Sequence, residues 1–398
     1  MKKSLFAVAV ATAFAGAAQA QSSVTVYGTL DASIGQATQK NTSAGTTVTT
    51  TQRTTANGDG ALSTSVLGLR GTEDLGRGMS ASFGLEFDLI DIGSGGTGAN
   101  VDSTTAADAA ISASTGNSNT AGGFGARQSW LGIRDTSLGE LRIGRQFSVM
   151  HAAYINGAAG AGNNVAGAVY SSGTNGFVNS AAVRPYDVFI NRAITYMAPT
   201  TAGVSIALQA SSQYVSSAET AAATANSFVG GSLTYTGVKD LTASYAYARV
   251  GINGTAVTSG DTNTATHIIA ANYNFGPVQP FANWSQRSID RANGDNQAKT
   301  SAMEIGLRAP ITPTLGVWAS AFQGARTTGL NNTTTNTTTA LASGSADLKG
   351  YQIGATYGFS KRTTAYAIYG TQEIKGKNSQ ANNKIATDHV AIGLRHTF

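Results

Sequence analysis

From residue 24 onward the chain repeats one pattern. Hydrophobic and polar residues alternate over roughly nine to fifteen positions, and a cluster of Gly, Pro, Asn, Asp, Ser or Thr then interrupts. A period of two places alternate side chains on opposite faces of an extended backbone, so each stretch reads as a β-strand. The strands fall at 24–38, 65–73, 79–89, 125–134, 139–147, 188–196, 203–214, 227–236, 241–250, 265–275, 278–288, 299–309, 315–325, 348–360, 362–374 and 384–398, sixteen in all. The third shows the alternation cleanly: Ala81, Phe83, Leu85, Phe87 and Leu89 share one face, Ser82, Gly84, Glu86 and Asp88 the other.

The connections alternate too. The first is long, the second short, and so on to the end, giving eight long polar connections and seven short ones such as Asp74-Leu-Gly-Arg-Gly78 and Gly237-Val-Lys-Asp240. That rhythm describes an up-and-down meander with every short turn on one rim. An even strand number returns both termini to that rim, where the first and last strands can pair. In the strand at 265–275 the apolar face reads His267, Ile269, Ala271, Tyr273, Phe275, and in the strand at 348–360 it reads Tyr351, Ile353, Ala355, Tyr357, Phe359. The aromatics gather toward the short-turn end, where an interfacial girdle would place them. The opposite face is Gly, Ser, Thr, Asn and charge. A soluble sandwich also alternates, but its loops are not expected to alternate long and short through eight hairpins. The expectation is an all-β, 16-stranded antiparallel transmembrane barrel. The Thr-rich tracts 46–55 and 331–339 read as loop sequence with no packed role.

One stretch breaks the rhythm. Residues 148–186 show neither a strand nor a helix period, and they are rich in Gly, Ala and Asn. Before Asp187 they hold only two potentially charged residues, His151 and Arg184. Two readings fit: a surface loop, or a segment folded into the barrel that narrows it.

Composition sharpens the compartment. The 398 residues include 48 Gly, 6 Pro and no Cys, with 12% charged. Without cysteine there is no disulfide framework and no thiolate chemistry. Histidines 151, 267, 389 and 396 show no close metal-ligand spacing, so no metal is expected. Residues 1–20 read as a cleavable signal peptide, with Lys2-Lys3, an apolar run from Leu5 to Ala15, and Ala18-Gln19-Ala20 as the cleavage site. The mature barrel is then 21–398. Removing Lys2 and Lys3 lowers the formal charge from +5 to +3, too weak and dispersed for a nucleic-acid surface. No later run of 18 apolar residues offers a spanning helix, and a closed barrel is the other structure that satisfies every backbone group in lipid. No Gly-x-Ser-x-Gly elbow, phosphate loop or metal motif is present, so neither an enzyme nor a cofactor is expected.

Six motifs stand in order: Val24-Thr-Val-Tyr-Gly-Thr-Leu-Asp31, Leu67-Gly-Leu-Arg-Gly-Thr-Glu-Asp-Leu-Gly76, Arg127-Gln-Ser-Trp-Leu-Gly-Ile133, Gly144-Arg-Gln146, Asn191-Arg-Ala-Ile-Thr-Tyr-Met-Ala-Pro199 and a final strand ending in Phe398. With them the mature chain resembles the trimeric general porins of Gram-negative outer membranes, most closely the β-proteobacterial type. The resemblance implies a homotrimer among lipid and lipopolysaccharide, and a passive channel for small hydrophilic solutes. It also implies that 148–186 is the inward third loop, and that Phe398 is read by the barrel-assembly machinery.

Charge rings at the narrowest point set selectivity in such pores. Strand parity turns Asp31, Arg70, Glu86, Asp88, Arg142, Arg287, Glu304, Arg308 and Arg395 inward, together with Tyr27, Thr29, Val66 and Gly68. Arg127 shares parity with Leu131 and Ile133, and only the resemblance turns it to the lumen. The parity of Arg145 and Arg192 disagrees with a pore role. His151 and Arg184 complete the candidates from the loop. The sequence departs from its relatives in having Val66 where they commonly carry arginine, and in having no Asp or Glu within 148–186. A neutral to basic loop facing arginines implies a positive potential and a weak preference for anions. The alternative is a surface-binding barrel, an adhesin or phage receptor acting through its long loops.

Overall fold

A computed structural model describes residues 23–43, 45–57, 60–89, 124–160, 162–169, 186, 188–215, 224–253, 262–291, 296–328, 345–377 and 382–398. Among these residues the first strands are β1 (Ser23–Ser43), β2 (Thr46–Asn57), β3 (Val66–Gly76), β4 (Met79–Leu89), β5 (Phe124–Asp135) and β6 (Gly139–Phe147), followed by helix α1 (Val149–Ile155). Then come β7 (Phe189–Met197), β8 (Val204–Val215), β9 (Thr224–Tyr235), β10 (Leu241–Asn253), β11 (Thr262–Tyr273) and β12 (Gln279–Arg291). The chain ends with β13 (Asn296–Pro310), β14 (Leu315–Thr328), β15 (Ala346–Gly358), β16 (Thr363–Gly376) and β17 (Lys384–Thr397). Each strand pairs antiparallel with its neighbours, and β1 pairs with β17 to close the sheet. No described helix is long and apolar enough to cross a membrane.

Seventeen strands form sixteen columns. The lower half of β1 pairs with β3, from Ser23↔Thr72 to Thr29↔Val66. Its upper half pairs with β2, from Ser33↔Asn57 to Ser43↔Thr46. β2 and β3 therefore stack in one column, and residues 61–63 between them turn inward, bonding to Tyr366 and Asp31. This corrects the loop expectation for 46–55. Threonine is β-branched and favours extended backbone, and the hairpin adds cross-strand side-chain pairs: Thr42 with Thr47 at 2.9 Å, and Arg53 with Gln36 at 3.1 Å. The tract 331–339 and the leader 1–20 lie outside the described residues.

The short turns carry their own chemistry. Gly76, Arg77 and Gly78 all take positive φ, and Asp74 accepts from the Gly76 amide at 2.8 Å. Asp135 accepts from the amides of Ser137 and Leu138, Asn274 from that of Gly276, and Ser360 from those of Arg362 and Thr363. A polar side chain that bonds its own backbone turns the chain within three or four residues, which holds neighbouring strands in register.

The outward face is apolar, with Val24 63% and Leu131 64% exposed. The inward face departs from the all-polar expectation. Phe228, Ala246, Ile268, Phe322, Leu348 and Ile374 point in from β9, β10, β11, β14, β15 and β16 and are buried. They form an apolar half-wall that the loop after β6 covers.

The barrel seam is tight. The Gly28 amide donates to the Phe398 carbonyl and the Phe398 amide to the Gly28 carbonyl, both at 3.1 Å. A Cβ on Gly28 would stand 2.7 Å from the Val66 carbonyl oxygen and run into the Phe398 ring. Gly28→Val is therefore expected to cost about 1–3 kcal/mol in overpacking and to lower the unfolding temperature on a heat-modifiability gel. Ala32→Val, on the same outward face, should leave it unchanged. Equal unfolding temperatures for the two variants would show that this contact does not set the seam.

Candidate pore constriction

The loop after β6 is fastened from its first residue. The Ser148 amide donates to the Val188 carbonyl at 2.7 Å, tying the start of the loop to the approach to β7. The Ser148 hydroxyl accepts from the Met150 amide and caps α1. Helix α1 buries Val149, Met150, Ala153 and Tyr154 on one face, and these meet the apolar half-wall. The sequence period missed α1 because seven residues make fewer than two full repeats. Each large side chain buried there contributes about 1.5–3 kcal/mol, so several together hold the loop against the wall.

Hydrogen bonds then fix its register. Glu304 is 1% exposed. Its Oε2 accepts from the Tyr154 hydroxyl at 2.9 Å, the Val169 amide at 3.2 Å and Asn283 Nδ2 at 3.5 Å. One carboxylate thus gathers two points fifteen residues apart on the loop. Gln352 does the same nearby: its Nε2 donates to Asn163 Oδ1 and to the Val165 and Ala166 carbonyls at 3.0–3.1 Å, and its Oε1 accepts from Asn163 Nδ2 and Trp318 Nε1. Arg308 donates to the Ala159 carbonyl at 2.6 Å and Asn283 to the Gly157 carbonyl at 2.9 Å. On the far side Asn164 donates to the carbonyls of Gly60 and Ala61.

The facing wall, β1 and β3–β6, keeps its charges. A bulge in β5 decides the place of Arg127: Glu86 pairs with Gln128 but Phe87 with Ala126, so Arg127 is the extra residue. The bulge frees it from the parity of Leu131, and Arg127 bridges Glu86 and Asp88, each at 2.8 Å. Glu86 also accepts from the Tyr27 hydroxyl at 3.1 Å. Arg142 pairs with Glu140 at 2.6 Å and stacks 4.0 Å from the Trp130 ring centroid. Arg70 lies 5.2 Å over the Tyr27 ring, with no carboxylate partner among the described residues. Both rings lie flat on glycines. A Cβ on Gly68 would strike the Tyr27 ring, and one on Gly84 would stand 2.6 Å from the Trp130 ring.

The candidate residues therefore divide. Arg70, Glu86, Asp88, Arg127 and Arg142 come together on this wall. Asp31 and Glu304 face inward but are each 1% exposed, so they fasten interior segments and do not line water. Asp31 accepts from the Ser63 amide and the Tyr366 hydroxyl; strand parity gives direction and not depth. Arg308 holds the loop. Arg395 stands opposite Asp31 in the β1–β17 register. Arg287 faces inward on β12, apart from this group, and His151 stacks on Phe147 with its Nδ1 3.1 Å from the Tyr186 hydroxyl. Arg145 bonds to Asn191 and lies over Phe189, next to the bulge at positive-φ Arg192. Arg184 lies outside the described residues. Glu140, Trp130 and Gln352 were missed, although Glu140 shares parity with Arg142 and Gln352 is opposite in parity to Tyr351. No described cluster of His, Asp or Glu has the arrangement of a metal site.

A family model described as "Gram-negative porin" matches residues 7–377. Outer membrane porin protein 32 of Delftia acidovorans is 28% identical over 421 aligned residues, covering all of both chains. An outer membrane porin protein of Bordetella pertussis is 33% identical over 154 residues, 37% of this chain and 34% of that one. Among solved structures, an anion-selective porin from Comamonas acidovorans superposes with a TM-score of 0.65 at 21% identity, over 95% of this chain and 100% of that one. The trimer form of in-vitro folded OmpT from Vibrio cholerae gives 0.56 at 14% identity, over 95% and 99%. At these identities the solved structures speak for the fold alone.

Removing the shared acceptor should loosen the loop. Glu304→Ala removes the acceptor shared by the Tyr154 hydroxyl and the Val169 amide, costs about 1–3 kcal/mol for the buried amide, and is expected to give larger and noisier single-channel currents. Glu304→Gln keeps an acceptor oxygen and should retain steady openings. Steady wild-type currents from Glu304→Ala would show that the loop does not depend on this carboxylate.

Proposed function

The chain belongs to the Gram-negative porin family and forms a diffusion channel in the outer membrane; within that activity, we propose that it favours small anions and that the loop starting at Ser148 sets its bore. The observation that carries the selectivity is Arg70. It is exposed on the lumen wall and has no carboxylate partner among the described residues, while Glu86, Asp88 and Glu140 are held by Arg127 and Arg142. The loop sequence 148–186 adds no acid to offset it. A unit charge is worth about 1 kcal/mol to an ion 4 Å away in bulk water, and more beside a low-dielectric wall. Arg70, Arg127 and Arg142 balance Glu86, Asp88 and Glu140 in number, so the bias toward anions comes from placement: Arg70 is exposed, while the three carboxylates are largely covered and lie against guanidinium partners.

The channel works as a homotrimer in this reading. Residues 1–20 are removed on export, and Phe398, pairing with Gly28 at the seam, is the residue the assembly machinery reads. Lipid and lipopolysaccharide surround the outward face.

Reconstitution of the mature protein in a planar bilayer under a potassium chloride gradient should give a reversal potential of anionic sign, with openings that close in threes. Arg70→Gln should reduce the anion-to-cation permeability ratio about two- to fivefold. A wild-type reversal potential of cationic sign would overturn the proposed selectivity.

A further inference from the structure

On the wall that faces the loop, the register sets Arg70 between two aromatic rings. Arg70 on β3 stands opposite Gly84 on β4, and Gly84 stands opposite Trp130 on β5. Arg70 and Trp130 are thus two strands apart, about 10 Å between backbones. The indole reaches into that gap, since a Cβ on Gly84 would stand 2.6 Å from Trp130 Cε2 and 2.7 Å from its Nε1. Gly68, next but one before Arg70, lies beneath the Tyr27 ring in the same way. The Arg70 guanidinium carbon lies 5.2 Å from the Tyr27 ring centroid, and that of Arg142 lies 4.0 Å from the Trp130 ring centroid.

The two guanidiniums keep different parts free. Arg70 is exposed, and neither its N–H groups nor the Trp130 indole N–H has a hydrogen-bond partner among the described residues. The indole Nε1 lies over Gly84, the residue opposite Arg70, so the two donors are neighbours. Together they can take both oxygens of one carboxylate. Arg142 has its Nε held by Glu140 and one face on Trp130, while 29% of its side chain remains exposed. A guanidinium stacks on aromatic rings through its faces. The face of Arg142 turned away from the indole is therefore a place for a second ring.

We propose that Arg70, Trp130 and Arg142 form a binding site for planar aromatic monocarboxylates, benzoate being the simplest. The carboxylate takes the Arg70 fork and the indole N–H. The aromatic ring of the solute lies on Arg142, which completes a stack of indole, guanidinium and solute. Charge sets the class: Arg127 and Arg142 already hold Glu86, Asp88 and Glu140, so Arg70 matches one negative charge and a second finds no partner. Shape sets the rest, because a saturated ring of the same size has no flat π face to lay on the guanidinium. The inference rests on the anion-preferring reading of this wall and adds to it a solute class.

Chloride current through the reconstituted wild-type channel, titrated at neutral pH and constant ionic strength with benzoate or cyclohexanecarboxylate, tests it. The two acids carry the same charge, and the saturated one has at least as much apolar surface, so neither charge nor hydrophobicity favours benzoate. Benzoate is expected to reduce the current saturably, with a half-blocking concentration about threefold or more below that of cyclohexanecarboxylate. Arg70→Gln should raise the benzoate value about tenfold. Trp130→Leu should make the two acids equal. Arg142→Lys keeps the charge but loses the planar face, and should also make them equal; it decides the question where Trp130→Leu yields no folded, heat-modifiable protein. An anion-selective wild type that the two acids block equally, or that neither blocks, overturns the site and spares the selectivity. So does a benzoate preference that persists in Arg142→Lys. A cation-selective wild type overturns the reading of the wall, and the site with it.

Discussion

Closure of the hydrogen-bonded sheet is the constraint on which everything else rests. In hydrocarbon there is no water to satisfy an open edge, so each backbone amide and carbonyl must pair within the wall. β1 meets that demand on both edges, with β17 on one side and with β3 and then β2 on the other. Once the wall is closed, lipid dictates only the outward face. The inward face is free to take residues that a soluble core would exclude, and the protein divides it in two.

One half of the interior behaves like the core of a soluble domain. Phe228, Ile268, Phe322 and Leu348 point inward and are covered by Met150, Tyr154 and Val169 of the loop. The other half behaves like a wet protein surface on which charges are paired and stacked. Among the described residues the interior is therefore lopsided, with the packed loop on one side and Arg70, Arg127 and Arg142 on the other. Polar anchors inside the packed half give the loop a single register, which apolar contact alone would not specify.

Strand number, order and facing were legible in the amino-acid pattern because a membrane barrel enforces a period of two against a uniform solvent. The alternation of long and short connections added the topology. Legibility failed where the period fails. The extra residue at Arg127 shifts parity within one strand, and nothing in the local sequence marks it. The threonines of β2 carry no hydrophobic–polar alternation, so a period of two had nothing to mark there. Helix α1 is shorter than two repeats of its own period. Parity placed Asp31 and Glu304 inside but could not reveal that other segments fold over them, because that depends on partners far away in the chain.

The two rings lying flat on the facing wall show how small a change would alter the bore. Tyr27 and Trp130 have room to lie down only because Gly68 and Gly84 beneath them lack side chains. The free cross-section on that side is thus held by two absent methyl groups, at positions that are themselves covered by the rings. A single carbon added there would act as a wedge with the aromatic ring as its lever arm, swinging a plate of atoms into the water column. Sieving can drift in such a channel by changes at sites no permeating solute ever touches.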